Sequence, residues 1–320
     1  MALVSNPNAG QHTPRAGLGA VIGSILAAPA DPNRRYDTKT LGELARAARQ
    51  IQQDRPEILA VAGGDGTLHK TLTSVFQEYE RRPGVPLPQI LLIPIGTMNN
   101  VATSIGATRY DPVTLAKRVD EKLKSHQELD VVHVRILKVN GEYGFMHGAG
   151  LPVNFLQAYY AYDHALGKRR ILKVLLATLW DEFLSILPFR RSRQILTKPV
   201  HARIKLPEDH DPPVAPFMTH TAFMSSTVDQ VGLGCRAMPE AMKTDGCFML
   251  RSSRLSFWGW LASIGHLWAG LGLPQSFDAV VPRLVIEYEQ PTVTMVDGEI
   301  KPPRTHDVVE CGPLLTFIIG

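Results

Sequence analysis

Apolar residues in the first 130 positions fall in short continuous runs, and helix-spaced segments separate these runs. The apolar runs are Ala2–Ser5, Ile58–Ala62 and Ile90–Ile93. Between them, Leu41–Gln53 and Leu68–Tyr79 carry apolar residues at the spacing of one helix face. Short buried strands that alternate with helices are typical of a parallel sheet built from βα units. The pattern therefore predicts an α/β domain over residues 1–128.

From Asp130 onward the hydrophobic period changes to two, which is the period of a half-buried strand. Val132, Val134 and Ile136 alternate with polar residues, and Asn140-Gly141 is a strong signal for a tight hairpin. Further strand patterns follow at His201–Leu206, Thr219–Ser225, Cys247–Leu250, Leu284–Tyr288, Thr292–Val296 and Leu314–Ile319. Residues 129–320 are predicted to form a mostly antiparallel β domain with a helical insertion, and its last strand is free to return to the first domain.

Composition and charge narrow the class of protein. Of 320 residues, 44% are hydrophobic and 20% are charged, so the chain can bury a sizeable core. A net charge of +4 is too small to predict a nucleic-acid partner, although it is compatible with an anionic ligand. Three cysteines are too few for a disulfide framework, and the N-terminus lacks the pattern of a signal peptide. A cytoplasmic protein is therefore expected.

Three of the strand ends share one design, because each strand stops in glycine or small polar residues before a helix. These ends are Asn6–Gly10, Gly63–Leu68 and Gly96–Asn99. Ligands of open α/β sheets bind at the carboxyl ends of the strands, and glycine lets a backbone approach a phosphate closely. We expect one phosphate-binding crevice there. The alternative reading of Gly63–Thr67 is a tight turn in which Asp65 or Thr67 merely caps a helix.

In order and spacing, three motifs resemble the catalytic domain of the diacylglycerol kinase and sphingosine kinase superfamily. They are Asn6-Pro7-Asn8-Ala9-Gly10, Gly63-Gly64-Asp65-Gly66-Thr67 and Pro94-Ile95-Gly96-Thr97-Met98-Asn99. Near the end, Val296-Asp297-Gly298-Glu299 resembles the Asp-Gly-Glu of the same superfamily. A Gly-Gly-Asp-Gly-Thr motif alone also occurs in NAD kinases and some phosphofructokinases. The resemblance covers nearly the whole chain and implies an NAD-kinase-like parallel first domain and a β-rich lipid-substrate domain.

The resemblance implies a role for each matching residue. Nucleotide contacts are implied for Asn6, Pro7, Asn8, Ala9, Gly10, Thr38, Gly63, Gly64, Asp65, Gly66, Thr67, Leu68, His69, Thr97 and Asn99. Asp65 and Asp130 would serve the catalytic Mg²⁺, and Asp297 or Glu299 would be the general base. Met242, Asp245 and Cys247 match a structural Mg²⁺ loop of bacterial members, although Asp245-Gly246 also reads as a simple turn between strands.

Three positions depart from the family pattern. His69-Lys70 stands where the family usually has Asn-Glu, and Asn100 stands where it usually has Asp. Lys70 exchanges an acid for a base, and Asn100 cannot add negative charge to a Mg²⁺ network. A catalytically weak nucleotide-binding regulator therefore remains an alternative to an active enzyme.

The function implied by the resemblance is an ATP- and Mg²⁺-dependent lipid kinase that phosphorylates diacylglycerol. The alternatives are a ceramide or sphingoid-base kinase, which His69 suggests, and an NAD kinase, against which the late Asp-Gly-Glu argues. A lipid kinase must reach a membrane, so we expect a peripheral protein at its inner face; an oligomer is left open. The candidate contacts are basic clusters at Lys168–Lys173 and Pro188–Arg193 and the tryptophan-rich stretch Phe257–Trp268.

Overall fold

Four short parallel strands and five helices form the amino-terminal half of the computed structural model. The model describes residues 1–6, 18–26, 34–96, 99–161, 168–184, 195–216, 218–232 and 234–320. The strands are β1 (Ala2–Ser5), β2 (Arg35–Asp37), β3 (Ile58–Gly63) and β4 (Gln89–Pro94), which pair in the order β4-β3-β1-β2. The helices are α1 (Leu18–Ile25), α2 (Leu41–Asp54), α3 (Asp65–Glu80), α4 (Asn100–Ser104) and α5 (Pro112–Lys124). This half is the predicted parallel α/β arrangement.

Helix α2 shows how local sequence sets these elements. The Thr40 hydroxyl accepts a hydrogen bond from the backbone N–H of Glu43, and the Glu43 carboxylate accepts one from the backbone N–H of Thr40, so the helix begins with a capping box. Leu44, Ala48 and Ile51 then recur on one face and are buried against the sheet. The helix is thus defined by its cap and by its apolar stripe.

Antiparallel strands dominate the second half. They are β5 (Val131–Val139), β6 (Glu142–Gly144), β7 (Met146–Gly150), β8 (Val200–Lys205), β9 (Thr219–His220), β10 (Ala222–Ser226), β11 (Phe248–Ser253), β12 (Ser276–Val281), β13 (Arg283–Val296) and β14 (Glu299–Ile318). Helices α6 (Leu151–Ala161), α7 (Lys168–Leu184), α8 (Phe257–Ala262) and α9 (Ile264–Ala269) interrupt them. The predicted fold class is confirmed, and the helical insertion corresponds to α6 and α7.

Strand β14 joins the two halves into one sheet. It begins as the second arm of a hairpin with β13 and later pairs antiparallel with β5. Its last residues pair parallel with β4, with Phe317 beside Ile90 and Ile318 beside Leu91. The final strand therefore lies against the amino-terminal strands. The division of the chain into two domains at residue 128 stays a prediction.

Among the residues that the structure describes, no helix is both long enough and apolar enough to cross a bilayer.

Phe317 is expected to be essential to this junction, because it is fully buried and packs 5.9 Å, centroid to centroid, from Phe145. Replacing it with alanine should lower the free energy of unfolding by about 3–5 kcal/mol, the usual cost of a large buried cavity. Leu314→Ala on the same strand is the matched control, since Leu314 is 45% exposed. Urea denaturation measures both, and equal losses in the two variants would contradict the assignment.

Candidate active site

Two glycine turns touch at the carboxyl ends of β3 and β4. A Cβ built on Gly64 would lie 3.1 Å from the Cα of Gly96, so neither turn has room for a side chain on that side. Helix α3 starts directly after Gly64, which caps the helix without a side chain. The first N–H groups of α3 therefore keep the attraction for anions that a helix start provides.

Asp65 is bound to the neighbouring turn. Its carboxylate accepts hydrogen bonds from the backbone N–H of Asn100 at 2.9 Å and of Val101 at 3.4 Å. Asp65 thus caps the start of α4. The alternative that the sequence left open was a cap for α3, the helix that begins at the turn of Asp65 itself. Burial raises the pKa of the Asp65 carboxyl, although these two N–H donors work in the opposite direction.

Asn99 contributes an unused buried acceptor to the same turn. It adopts a left-handed conformation, with φ 51°, and its side-chain amide donates to the carbonyl of Gly96 at 2.9 Å. Its Oδ1 is buried and has no hydrogen-bond partner among the described residues. A buried acceptor of this kind normally has a partner, so this site suits a donor supplied by a ligand.

The hairpin between β13 and β14 brings the second acidic motif to the glycine turns. Asp297 and Gly298 both have positive φ, 47° and 82°, as a tight two-residue turn requires. The Asp297 carboxylate accepts from the backbone N–H of Phe145 at 2.9 Å and of Met146 at 2.8 Å. These hydrogen bonds fix the hairpin tip against the link between β6 and β7.

Burial raises the pKa of Asp297 to about 6. The nearby His69 ring, whose Nδ1 lies 3.7 Å from Oδ2, and the Phe145 and Met146 N–H groups lower the pKa. The negative charge of Asp65 raises it further. The two acids therefore share one poorly solvated region, in which the charge of Asp65 disfavours the ionised form of Asp297.

Glu299 lies on the open side of the same turn. Its Oε1 lies 2.9 Å from the Nζ of Lys70, and a Cβ built on Gly66 would be 2.9 Å from the same oxygen. The structure thus brings Asp65 and Gly66 together with Asp297 and Glu299, more than 200 positions away in the sequence. Sequence reasoning noted Lys70 as a departure from the family, but it had no signal that its partner is Glu299.

His69 belongs to an ionic cluster beneath the turn, which sequence reasoning missed. Its Nδ1 donates to the carbonyl oxygen of Tyr143 at 2.7 Å, since a carbonyl can only accept. Its Nε2 lies 3.1 Å from Lys301 Nζ and 3.4 Å from Glu142 Oε2. Hydrogen bonding to His69 and Lys301 lowers the pKa of Glu142 to about 2. Neither Glu142 nor Lys301 lies in a motif, so no sequence signal marked them.

The other residues that were predicted to contact the nucleotide differ in where they lie. Thr38 is buried, its N–H donates to the carbonyl of Ser5 at 2.9 Å, and it lines an open cavity of about 410 Å³ together with Arg35 and Arg46. Gly63 has no room for a Cβ because the side chain of Thr67 fills that space, and Leu68 is part of the core. The backbone of Asn6 follows β1. Pro7, Asn8, Ala9, Gly10 and Thr97 lie outside the described residues.

Asp130 lies where β14 ends. Its N–H donates to the carbonyl of Gly320 at 2.8 Å, and its exposed carboxylate lies 3.2 Å from Lys122 Nζ. Because Ile318 pairs with Leu91 in register, Gly320 extends towards the carboxyl end of β4. Asp130 therefore lies towards the same edge of the sheet as the glycine turns, and its role towards a metal stays a prediction.

The Asp245 carboxylate pairs with an arginine. Arg135 donates to both of its oxygens, at 2.8 and 3.1 Å, and this pairing lowers the pKa of Asp245. Met242 is exposed and Cys247 is half-buried. Within the described ranges, no cluster of three histidine, cysteine or acidic side chains could hold a metal. The predicted loop relies mainly on carbonyl oxygens, so its role stays a prediction.

Asp297 should make the stability of the protein depend on pH. Its raised pKa means that the folded chain binds this proton more tightly than the unfolded chain, so the contribution is full below about pH 4. It is lost as the pH rises through about 6. The loss should be on the order of 2 kcal/mol between pH 4 and 7.

Asp297→Asn keeps an acceptor for the two N–H groups and removes the titration, so it serves as the comparison. The unfolding free energy of the variant, minus that of the wild type, should increase as the pH rises from 4 to 7. Urea denaturation at both pH values measures this difference. A difference that stays constant would mean that the Asp297 carboxyl has an ordinary pKa.

Comparison with known proteins agrees with this geometry. Residues 1–134 match the model of the diacylglycerol kinase catalytic domain. The chain is 28% identical over 148 residues to a diacylglycerol kinase of Staphylococcus carnosus, which is 46% of this chain and 44% of that protein. It is 26% identical over 283 residues to a protein of Xanthomonas oryzae pv. oryzae named Probable lipid kinase YegS-like, covering 85% of this chain and 81% of that protein.

The fold is likewise similar to the crystal structure of a diacylglycerol kinase from Bacillus anthracis str. Sterne. The TM-score is 0.63 at 16% identity, over 100% of this chain and 96% of that chain. The chain spans less than half the length of the staphylococcal relatives that it matches. The resemblance that the motifs indicated is thus confirmed: residues 1–134 match the model of the diacylglycerol kinase catalytic domain, and the relatives that this chain resembles are named as diacylglycerol kinases or probable lipid kinases.

Proposed function

We propose that this chain is a lipid kinase that transfers the γ-phosphoryl group of ATP to a lipid hydroxyl, with diacylglycerol as the first candidate acceptor. The observation that carries the proposal is the meeting of the Gly64–Gly66 turn with Asp297 and Glu299. A phosphate-binding turn beside a reachable carboxylate has the parts that phosphoryl transfer to an alcohol needs. The match of residues 1–134 to the diacylglycerol kinase catalytic domain supports the same reaction.

The donor site is built from backbone. Gly64 and Gly96 bring two strand-end turns into backbone contact, and the start of α3, which follows Gly64, favours the negative charge of phosphate oxygens. Oδ1 of Asn99 offers a buried acceptor, and the cavity beside Thr38 is large enough for part of a nucleoside. These features fit a nucleoside triphosphate.

A divalent cation also fits the charges of this site. Asp65 and Asp297 both have raised pKa values because both are poorly solvated, and the charge of Asp65 raises the pKa of Asp297 further. A cation near them would remove that penalty, and carboxylate oxygens are the ligands that Mg²⁺ prefers. Asp65 would hold the metal, with Asp130 contributing through water. When bound, Mg²⁺ would neutralise the charge that develops on the phosphates.

The two acids of the hairpin take different roles. Asp297 is 5% exposed and already accepts two backbone N–H groups, so we assign it to holding the turn in place. The side chain of Glu299 is 37% exposed and lies on the open side. Glu299 is therefore the general base that accepts the proton of the attacking hydroxyl.

An apolar cavity of about 270 Å³ in the second half suits part of an acyl chain. Residues from α6, β10, β11, α8 and α9 and from the segment between β10 and β11 line it, among them Leu151, Phe155, Phe223, Met238, Trp260 and Leu267. A hydrocarbon chain is stabilised by the removal of its surface from water, and this lining is almost entirely apolar. The cavity supports a lipid acceptor over a polar one such as NAD.

The outer faces of α7, α8 and α9 suit contact with a membrane. Trp180 and Phe183 on α7 are 64% and 59% exposed, and Trp258 and Trp268 on α8 and α9 are 45% and 51% exposed. Tryptophan favours the boundary between membrane and water. The side chains of residues 168–172 and the whole of 188–193, which carry the predicted basic clusters, lie outside the described part. We propose peripheral attachment through α7–α9 at the cytoplasmic face.

A phosphorylation assay with radiolabelled ATP in mixed micelles tests the reaction. Diacylglycerol should be labelled, and ceramide, sphingosine and NAD should be labelled poorly or not at all. Glu299→Gln should lower the rate at least about 100-fold, the usual scale for losing a general base. Asp65→Asn should abolish turnover, while circular dichroism shows an intact fold. Labelling of NAD alone, or near-normal rates in both variants, would overturn the proposal.

Vesicle co-sedimentation tests the membrane surface. Trp258→Ala combined with Trp268→Ala should weaken binding to vesicles that contain anionic lipid by about tenfold, because two interfacial rings are lost. Leu41→Ala is the control, since Leu41 on α2 is 66% exposed and lies outside the proposed surface. Unchanged binding of the double variant would place the membrane contact elsewhere.

A further inference from the structure

Lys70 forms an ion pair with Glu299 across the first turn of α3. Its Nζ lies 2.9 Å from Glu299 Oε1. Gly66 lies one helical turn earlier on the same face, and a Cβ there would come within 2.9 Å of the same oxygen. The Glu299 carboxylate therefore rests over the start of α3, where the helix itself attracts negative charge.

The ion pair between Lys70 and Glu299 contributes little to the stability of the fold. The side chains of Lys70 and Glu299 are 42% and 37% exposed, and ion pairs this exposed contribute little to folding. The same exposure lets a ligand reach both groups from solvent. A contact of little structural value, placed where the donor phosphates would bind, points to a role in binding.

The other basic side chains next to Glu299 and Lys70 contact Glu142. Lys301 and Arg304, which follow Glu299 on β14, both contact Glu142. His69, the residue next to Lys70, also faces that cluster. Within the part of the chain that the structure describes, Lys70 is the cation that contacts Glu299.

We propose that Lys70 exchanges partners during turnover, an inference that rests on the proposed function. Without nucleotide, the Glu299 carboxylate pairs with Lys70 and covers the start of α3, which attracts anions. The terminal phosphate of ATP, which carries more negative charge than one carboxylate, displaces it and takes Lys70. Glu299 is thereby released to accept the proton of the acceptor hydroxyl. The base is then available only when the donor is bound, which makes nucleotide binding the first step.

The exchange gives two variants opposite effects on nucleotide affinity. Lys70→Met should weaken the binding of ATP with Mg²⁺ about tenfold, the scale of one charge-assisted hydrogen bond. Glu299→Gln should tighten it about threefold, because Lys70 no longer has a competing anion. In the double variant the gain from Glu299→Gln should be smaller than in the presence of Lys70, since the part of the gain that acts through Lys70 is lost. Isothermal titration calorimetry measures all four dissociation constants without turnover.

Two further variants complete the design. Lys70→Arg keeps the charge and should restore affinity to within about threefold of wild type. Lys205→Met removes a lysine from a comparably exposed pair, in which Lys205 and Glu287 are 44% and 47% exposed, and should leave ATP binding unchanged. Each variant is compared with wild type by circular dichroism.

The outcomes separate the exchange from the proposed function. If wild type binds ATP but Lys70→Met binds equally well, the exchange is overturned and the kinase assignment stands. If Glu299→Gln tightens binding by the same factor with and without Lys70, simple charge repulsion explains the gain and the exchange is again overturned. If wild type does not bind ATP at all, the proposed function falls, and the exchange falls with it.

Discussion

The arrangement of the site depends on one buried carboxylate that must be satisfied. Asp297 lies in a tight turn with almost no solvent, and a bare charge there would be costly. The backbone N–H groups of Phe145 and Met146, together with the ring of His69, compensate for it. Each partner comes from a different element, so satisfying this carboxylate holds the β13–β14 hairpin, the β6–β7 link and α3 together.

Strand β14 connects the hairpin that Asp297 holds in place to the amino-terminal strands. It starts at Glu299, in the site, and ends beside β4, the strand that leads into the second glycine turn. The fully buried Phe317 anchors that far end. A strand held at both ends fixes where its first residue lies, and this rigidity places a carboxylate within reach of a phosphate-binding turn. The half of the chain that carries the acid and the half that carries the glycines thus contribute strands to one sheet.

The charged side chains around the site differ in their burial and in the number of their partners. Glu142, His69 and Lys301 form a half-buried cluster with short contacts, which suits a supporting role. Lys70 and Glu299 are exposed and paired only with each other in the described contacts, which suits groups that change partners. Lys70 is also where the chain departs from the family pattern. A departure from the family pattern that brings a cation into contact with the proposed general base tells more about function than a departure on a surface away from the site.

Local pattern alone was sufficient for the types of the elements that it predicted and for the glycine turns, and short motifs were sufficient to indicate the family resemblance. Periodicity and caps act over a few residues, as the apolar stripe and capping box of α2 show, so they can be read without knowing the fold. The partner of Lys70, the cap that Asp65 gives to α4, and the cluster around His69 could not be read in this way. Those contacts join residues that are 30 to more than 200 positions apart, and only the packing of the strands decides which of them meet.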